Sequence, residues 1–148
     1  KKKIELPPNP FIHEILELAC KQRSKAKKIE ILQEYETDAL KSIFIWNFDE
    51  TIISVLPVGD VPYKKNEVPV GTSLRREYKH LYNFVKGGND SLSGLRRETM
   101  FIQMLEGLHP KEADIVVLCK DKRLSEKYKI TYDVVKQAFS DIQWGGRS

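Results

Sequence analysis

A chain of 148 residues, 41% apolar and 31% charged, is long enough to bury a core without disulfide or metal staples and too apolar to be disordered. No apolar run approaches the roughly 20 residues of a bilayer span, and Lys1-Lys2-Lys3 leading into Pro7-Pro8-Asn9-Pro10 is not a secretory leader. The formal charge of +4 permits an anionic partner such as nucleic acid but is equally ordinary for solubility, so the distribution of basic residues matters more than their sum.

Residues 1–9 read as an extended arm, basic at its start and rich in proline. Asn9 is the expected N-cap, with Pro10 in the first turn, of a helix to about Gln22. Phe11, Ile12, Ile15, Leu16, Ala19 and Cys20 share one face of it. Ser24 caps a longer helix to about Trp46, whose end, Ile43-Phe44-Ile45-Trp46, is apolar all round. Two helices fit better here than one bent helix, because few apolar residues lie between Lys21 and Lys28. Asp49 looks like the cap of a short helix from Glu50 to Leu56. A strand is the rival reading, since Thr51, Ile52, Ile53 and Val55 are β-branched. Pro57 to Gly71 is a long, proline-rich connector. Val58, Val61, Tyr63, Val68 and Val70 alternate with polar residues in it, so it should lie along the helices and leaves room for a small hairpin.

One pattern then occurs twice. Ser73-Leu74-Arg75-Arg76-Glu77 opens an apolar run with Leu81, Phe84 and Val85, and Gly94-Leu95-Arg96-Arg97-Glu98 opens another with Phe101, Ile102, Leu105 and Leu108. Each predicts a helix with an arginine pair in its first turn. Thr72 caps the first, which ends at Gly87-Gly88, and Asp90, Ser91 or Ser93 caps the second. The two should pack antiparallel through Leu81, Phe84, Ile102 and Leu105, with Leu74 and Leu95 in the core. Pro110 begins a helix through Lys120, a charged loop follows to Ile130, and Thr131 caps a last helix with Val134, Val135, Ala138 and Phe139 on its face. The prediction is an all-α fold, a single compact bundle of six to seven helices over residues 10–142. A tail, 143–148, follows, and its last four residues have the composition of an expression-vector remnant.

Catalytic chemistry is hard to find. His13, His80 and His109 lie on or beside different helices with no metal-ligand spacing, and Cys-x-x-Cys, His-Glu-x-x-His and Gly-x-Ser-x-Gly are absent. Cys20 and Cys119 read as small thiols against apolar neighbours in a reducing compartment. Acidic pairs such as Glu34/Asp38 and Glu106/Glu112 read as solvated helix faces. No cofactor or metal is expected, and an enzyme is unsupported.

Binding is better represented. Basic residues gather at Lys21–Lys28, at Arg75-Arg76 with Lys79, at Arg96-Arg97, and at Lys120, Lys122, Arg123, Lys127 and Lys129. Arginine in the first turn opposes the helix dipole unless it meets an anion there. That anion is a ligand's phosphate or carboxylate, or the chain's own Glu77, Glu98 or an acid on a neighbouring helix; both readings stand. The last two helices resemble a helix–turn–helix in outline, but a loop of some ten residues is too long for the DNA-reading motif. Tyr128, Tyr132, Phe139 and Trp144 supply aromatics near the basic residues, for packing or for stacking on single strands. The anion-binding candidates are therefore Arg75, Arg76, Arg96 and Arg97, then Lys122, Arg123, Lys127 and Lys129.

Several stretches together, among them Ser24–Leu32, Ile45–Asp49, Leu74–Tyr78, Asn83–Asn89, Arg96–Glu98, Glu106–His109 and Ala113–Lys122, resemble a small family of uncharacterised proteins of large contractile-tailed bacteriophages, especially marine and cyanobacterial ones. The resemblance covers most of the chain and carries no residue roles. It implies action in the cytoplasm of an infected bacterium. It also implies a non-enzymatic accessory factor whose partners are DNA or RNA, or phage or host replication and transcription proteins. The alternative is a protein-binding adaptor or virion component with no nucleic-acid contact, its apolar patch around the connector. No membrane is involved, and the oligomeric state is left open.

Overall fold

The computed structural model describes residues 6–66 and 71–146. Lys1–Lys3 of the arm, Val68 and Val70 of the connector, and Arg147 and Ser148 of the tail lie outside the described residues. Among the described residues the fold is all-α, with no strand. The helices are α1 (Ile12–Cys20), α2 (Lys25–Glu34), α3 (Asp38–Phe48), α4 (Leu74–Glu77), α5 (Gly94–Gly107), α6 (Pro110–Lys120), α7 (Leu124–Lys127) and α8 (Tyr132–Ala138), with a 3₁₀ helix, Tyr78–Phe84, continuing α4. One apolar cluster, with Phe44, Phe84, Phe101 and Phe139 as its largest members, draws on every helix.

Capping chemistry sets most of the boundaries. The hydroxyls of Ser24, Ser93 and Thr131 accept from the amides of Lys27, Arg96 and Val134, starting α2, α5 and α8. Pro110 occupies the first turn of α6. The expected helix Ser24–Trp46 is broken once: Thr37 Oγ1 accepts from Leu40 N at 3.1 Å and starts α3 afresh. Asn9 is not a cap; it takes a left-handed φ of 55°, and α1 begins two residues later than expected, with the Glu14 carboxylate accepting from Phe11 N at 2.8 Å.

The helix expected from Glu50 to Leu56 does not form. Asp49 Oδ1 accepts from both Thr51 N (2.9 Å) and Thr51 Oγ1 (2.6 Å), a side-chain turn that competes with helix. The strand was the nearer reading: Ser54 pairs with Val85 in an isolated antiparallel bridge, with Val55 N donating to Phe84 O at 3.0 Å and Lys86 N to Ile53 O at 2.7 Å. That bridge also stops the first arginine-pair helix, because Val85 is extended and Gly87 follows at φ 87°. Beside it, a Cβ on Gly88 would collide with the Tyr82 carbonyl. Ser73 takes the cap position given to Thr72, whose hydroxyl donates to Glu77 Oε2 at 2.9 Å.

Two burial expectations are reversed. Leu95 is 80% exposed. The face of α5 that packs inward carries Arg97, Phe101, Met104 and Leu105, spaced by four, three and one, and Leu95 lies off it. Phe101 meets Phe84 edge-on at 5.0 Å, which joins the two arginine-pair segments. Glu112, read as a solvated acid, is fully buried. Its Oε2 accepts from Ile12 N at 2.8 Å and its Oε1 from Leu74 N at 2.9 Å. One carboxylate in the first turn of α6 thus also closes the N-termini of α1 and α4. Burial pushes its pKa up, and the two amide donors and Arg75 pull against that rise.

Removing this acceptor leaves two buried amides unpaired. Glu112→Ala should cost about 3 kcal/mol or more, and Glu112→Gln, which keeps one acceptor oxygen, about 1–2 kcal/mol, measured as midpoint shifts in urea at constant m-value. Equal, negligible losses in both variants would contradict the bridging role.

His13 supplies a pH prediction. It is buried, its ring stacks on His109 at 4.4 Å, and its Nδ1 has no hydrogen-bond partner among the described residues. Burial lowers its pKa to about 4, with Glu17 opposing and His109 and Lys111 adding to the effect. A folded pKa below the unfolded value near 6.5 gives stability that is full above pH 6.5 and falls as pH drops toward 4. The wild type should therefore lose about 3 kcal/mol more than His13→Phe between pH 7 and pH 4 in paired denaturation curves.

Candidate functional site

The arginine pairs divide between packing and exposure. Arg97 is 9% exposed. Its Nε donates to Asn83 O at 3.0 Å and its Nη2 to Asn89 O at 3.0 Å and Leu92 O at 3.2 Å, so one guanidinium ties the Gly87–Ser93 turn to α5. Arg75 Nε donates to Pro10 O at 3.0 Å, beside the Glu112 bridge. Their hydrogen-bond partners are main-chain carbonyls rather than Glu77 or Glu98, and the charge of Arg75 also acts on Glu112, an acid on a neighbouring helix. Arg76 and Arg96 are exposed and meet no charged side chain among the described residues.

The fourth cluster divides in the same way. Lys120 is buried: its Nζ donates to Pro57 O (2.7 Å), Gly59 O (3.1 Å) and Asp121 Oδ1 (2.7 Å), while Asp121 Oδ2 accepts from Gly59 N at 2.9 Å. This lysine anchors the start of the connector. Lys122 sits at φ 58° and donates to Trp46 O at 2.6 Å and Asp49 O at 2.9 Å, carbonyls at the C-terminal end of α3. Burial lowers its pKa, with Asp49 the main opposing charge. Arg123 pairs with Glu126 (2.8 Å) and Lys127 with Asp114 (2.7 Å) on the surface, where such pairs contribute little. Lys129 is exposed, and, behind the stronger effect of Arg123, its charge helps hold the Glu126 carboxyl below the usual range.

The fold joins Lys129 to the first cluster, a hundred residues earlier in sequence. Lys28 Nζ donates to Lys129 O at 2.7 Å, and Lys25 pairs with Asp133 in the first turn of α8. Between them the Cys20 thiol is pushed up by burial and pulled down by a hydrogen bond from the Lys129 backbone and by the charges of Lys28 and Lys129. The ends of α1 and α2 and the segment before α8 therefore share one surface. Lys129 stands exposed there beside half-buried Lys28, and Arg23 and Lys27, next to Lys25 and Lys28 in sequence, are exposed as well. Sequence spacing gave no sign of this junction, because α2 packs on α8 across most of the chain. The arginine pairs lie elsewhere, with α4 against α3 and α5 against the 3₁₀ helix.

The histidines that the sequence kept apart come together as the His13–His109 stack, with Phe11 5.2 Å from His109. His109 Nδ1 accepts from Lys111 N at 3.0 Å, which makes that ring a helix cap. No group of three or more metal-ligating side chains occurs among the described residues. No described helix is long and apolar enough to cross a membrane.

No curated protein and no solved structure matches the chain. A protein-family model matches residues 15–126, which contain Lys21–Lys28, both arginine pairs and Glu112, and end before Lys129 and α8. On that span, well over half of the sequence, the chain belongs to the family described as a family of unknown function, DUF6433.

Proposed function

We propose that the chain is a non-enzymatic accessory protein that binds nucleic acid, or a complex already bound to nucleic acid, through the surface shared by Lys21–Lys28 and Lys129. The observation that carries this reading is the Lys28–Lys129 contact, which merges two basic segments into one face. Lysines spaced within a Debye length of one another, roughly 8 Å, act on a polyanion together. Ammonium groups on flexible stems suit a phosphate backbone, which asks for charge rather than fixed geometry. Exposed Arg76 and Arg96 are secondary contacts on this reading, while Arg75, Arg97 and Lys122 are held by carbonyls. The resemblance to contractile-tailed phage proteins fits a factor at work in the cytoplasm of an infected bacterium.

A second reading, a protein-binding adaptor, has its own observation. Val58 and Leu95 are 85% and 80% exposed. Leu95 lies one and two turns before Glu98 and Ile102, which line a cleft of about 140 Å³ with Leu56, Pro57 and Val61. An exposed apolar face beside the connector is what an adaptor would present.

Fluorescence anisotropy with labelled mixed-sequence oligonucleotides separates the two. The nucleic-acid reading expects binding at about 50 mM salt that weakens with a log–log slope near −3 to −4, for about four phosphate contacts. Lys27→Glu with Lys129→Glu should lower affinity at least tenfold, and Arg76→Glu with Arg96→Glu should lower it less. Absence of binding at low salt by the wild-type protein would overturn the reading in favour of the adaptor.

A further inference from the structure

A cleft of about 660 Å³ opens at the start of α8, within the ~300–1,000 Å³ typical of small-ligand sites. The C-terminal end of α3, the Asp49–Thr51 turn, Lys122, the start of α8 and Trp144 of the tail enclose it. Gly145 N donates to Asp49 Oδ2 at 2.9 Å, which fixes the tail, and Trp144 with it, against the cleft.

Three aromatic rings form one wall. Tyr132 lies 5.0 Å from Trp144 at an interplanar angle of 77° and 6.1 Å from Phe48. Tyr132 remains 39% exposed and Trp144 is half-buried. A flat ligand stacked on either Tyr132 or Trp144 would meet the other ring edge-on, the geometry that aromatic quadrupoles favour.

The one ammonium among the described residues that line the cleft, that of Lys122, is already held by two carbonyls and offers little to a phosphate inside it. Positive charge lies outside. Lys136 Nζ sits 5.7 Å from the Tyr132 ring centre, and Lys129 precedes Tyr132 by three residues. A neutral planar group in the cleft with anionic groups on the lysines outside describes a nucleotide of a single strand. A duplex keeps its bases stacked and cannot present one.

We infer that the Tyr132–Trp144 cleft takes one unpaired nucleobase of a single-stranded nucleic acid whose phosphates run along Lys129 and Lys136. The inference rests on the proposed nucleic-acid reading and narrows its ligand to single strands.

The test compares a labelled oligo(dT) with a duplex of equal length, by anisotropy, on the wild-type protein, Tyr132→Ala, Trp144→Ala and Trp144→Phe. Tyr132 is 39% exposed at a helix start and Trp144 is half-buried in the tail, and unchanged circular dichroism would show that the variants keep the fold. The expected result is tighter binding of oligo(dT) than of duplex and quenching of tryptophan emission. Tyr132→Ala and Trp144→Ala should each lose about 5- to 150-fold for oligo(dT) and leave duplex binding unchanged. Trp144→Phe, which keeps a ring face, should stay near wild type. Binding of both nucleic acids, indifferent to the aromatic variants, would overturn the cleft inference and spare the basic-face reading. Binding of neither by the wild type would overturn both.

Discussion

The Glu112 carboxylate is the contact on which the arrangement depends. It lies in the first turn of α6, and it accepts the first free amides of α1 and α4. Every helix start leaves amides without an intrahelical partner, and burying them unpaired costs as much as losing a hydrogen bond. Three helix N-termini crowd one point, where their dipoles favour an anion. One buried acid on the third helix bonds the starts of the other two, across separations of 100 and 38 residues. With Leu74 N held there, Arg75 is brought against Pro10 O, and the α4 segment is fixed on the core side of the molecule. What the first arginine pair can reach is therefore decided by a glutamate on another helix.

The opposite ends of the helices explain where the remaining positive charge goes. Eight short helices among the described residues leave many C-terminal and turn carbonyls without partners. Arg97 takes three such carbonyls, Lys120 two, Lys122 two, and Lys28 one. A cation bonded only to carbonyls, as Arg97 is, needs no acidic neighbour and leaves no trace as a charge pair in the sequence, whereas Lys120 adds the adjacent Asp121 to its two carbonyls. A fold of long helices would have fewer ends and would leave more of these side chains in solvent. The basic clusters therefore overstate the charge on the surface. What remains exposed there is mostly lysine.

Much of the fold was legible because caps act over three residues. Ser24, Ser93, Thr131 and Pro110 mark starts that the structure keeps. The break at Thr37 was written in the same code. The apolar register slips around Tyr35 and Glu36, and a threonine followed by an aspartate sits just after the slip. Asp49 failed as a cap because its side chain closes a turn on Thr51, and Val85 left its helix to pair with Ser54. The turn at Asp49 is local, whereas the turn of Val85 out of its helix depends on a partner more than thirty residues away, as does the burial of Glu112. Leu95 was misplaced for a simpler reason: it is apolar, but Arg97, four residues before Phe101, holds that turn of the inner face of α5. The junction of Lys28 with Lys129 is wholly tertiary. Nothing local could have given it.

The division between arginine and lysine bears on what a nucleic acid would find here. Guanidinium forks give directional, paired hydrogen bonds and so read base edges; ammonium groups give charge with little geometry. In this chain two of the four paired arginines face inward, onto carbonyls, and the face beside α8 is built of lysines. Such a surface would position a backbone without reading its sequence. Selectivity would then have to come from shape, and the nearest shaped feature is the aromatic wall of Phe48, Tyr132 and Trp144. Every base offers a π-face, so that wall would distinguish open strands from paired ones rather than one sequence from another. The doubled arginine pattern, the most conspicuous feature of the sequence, is in half its members part of how the molecule holds itself together.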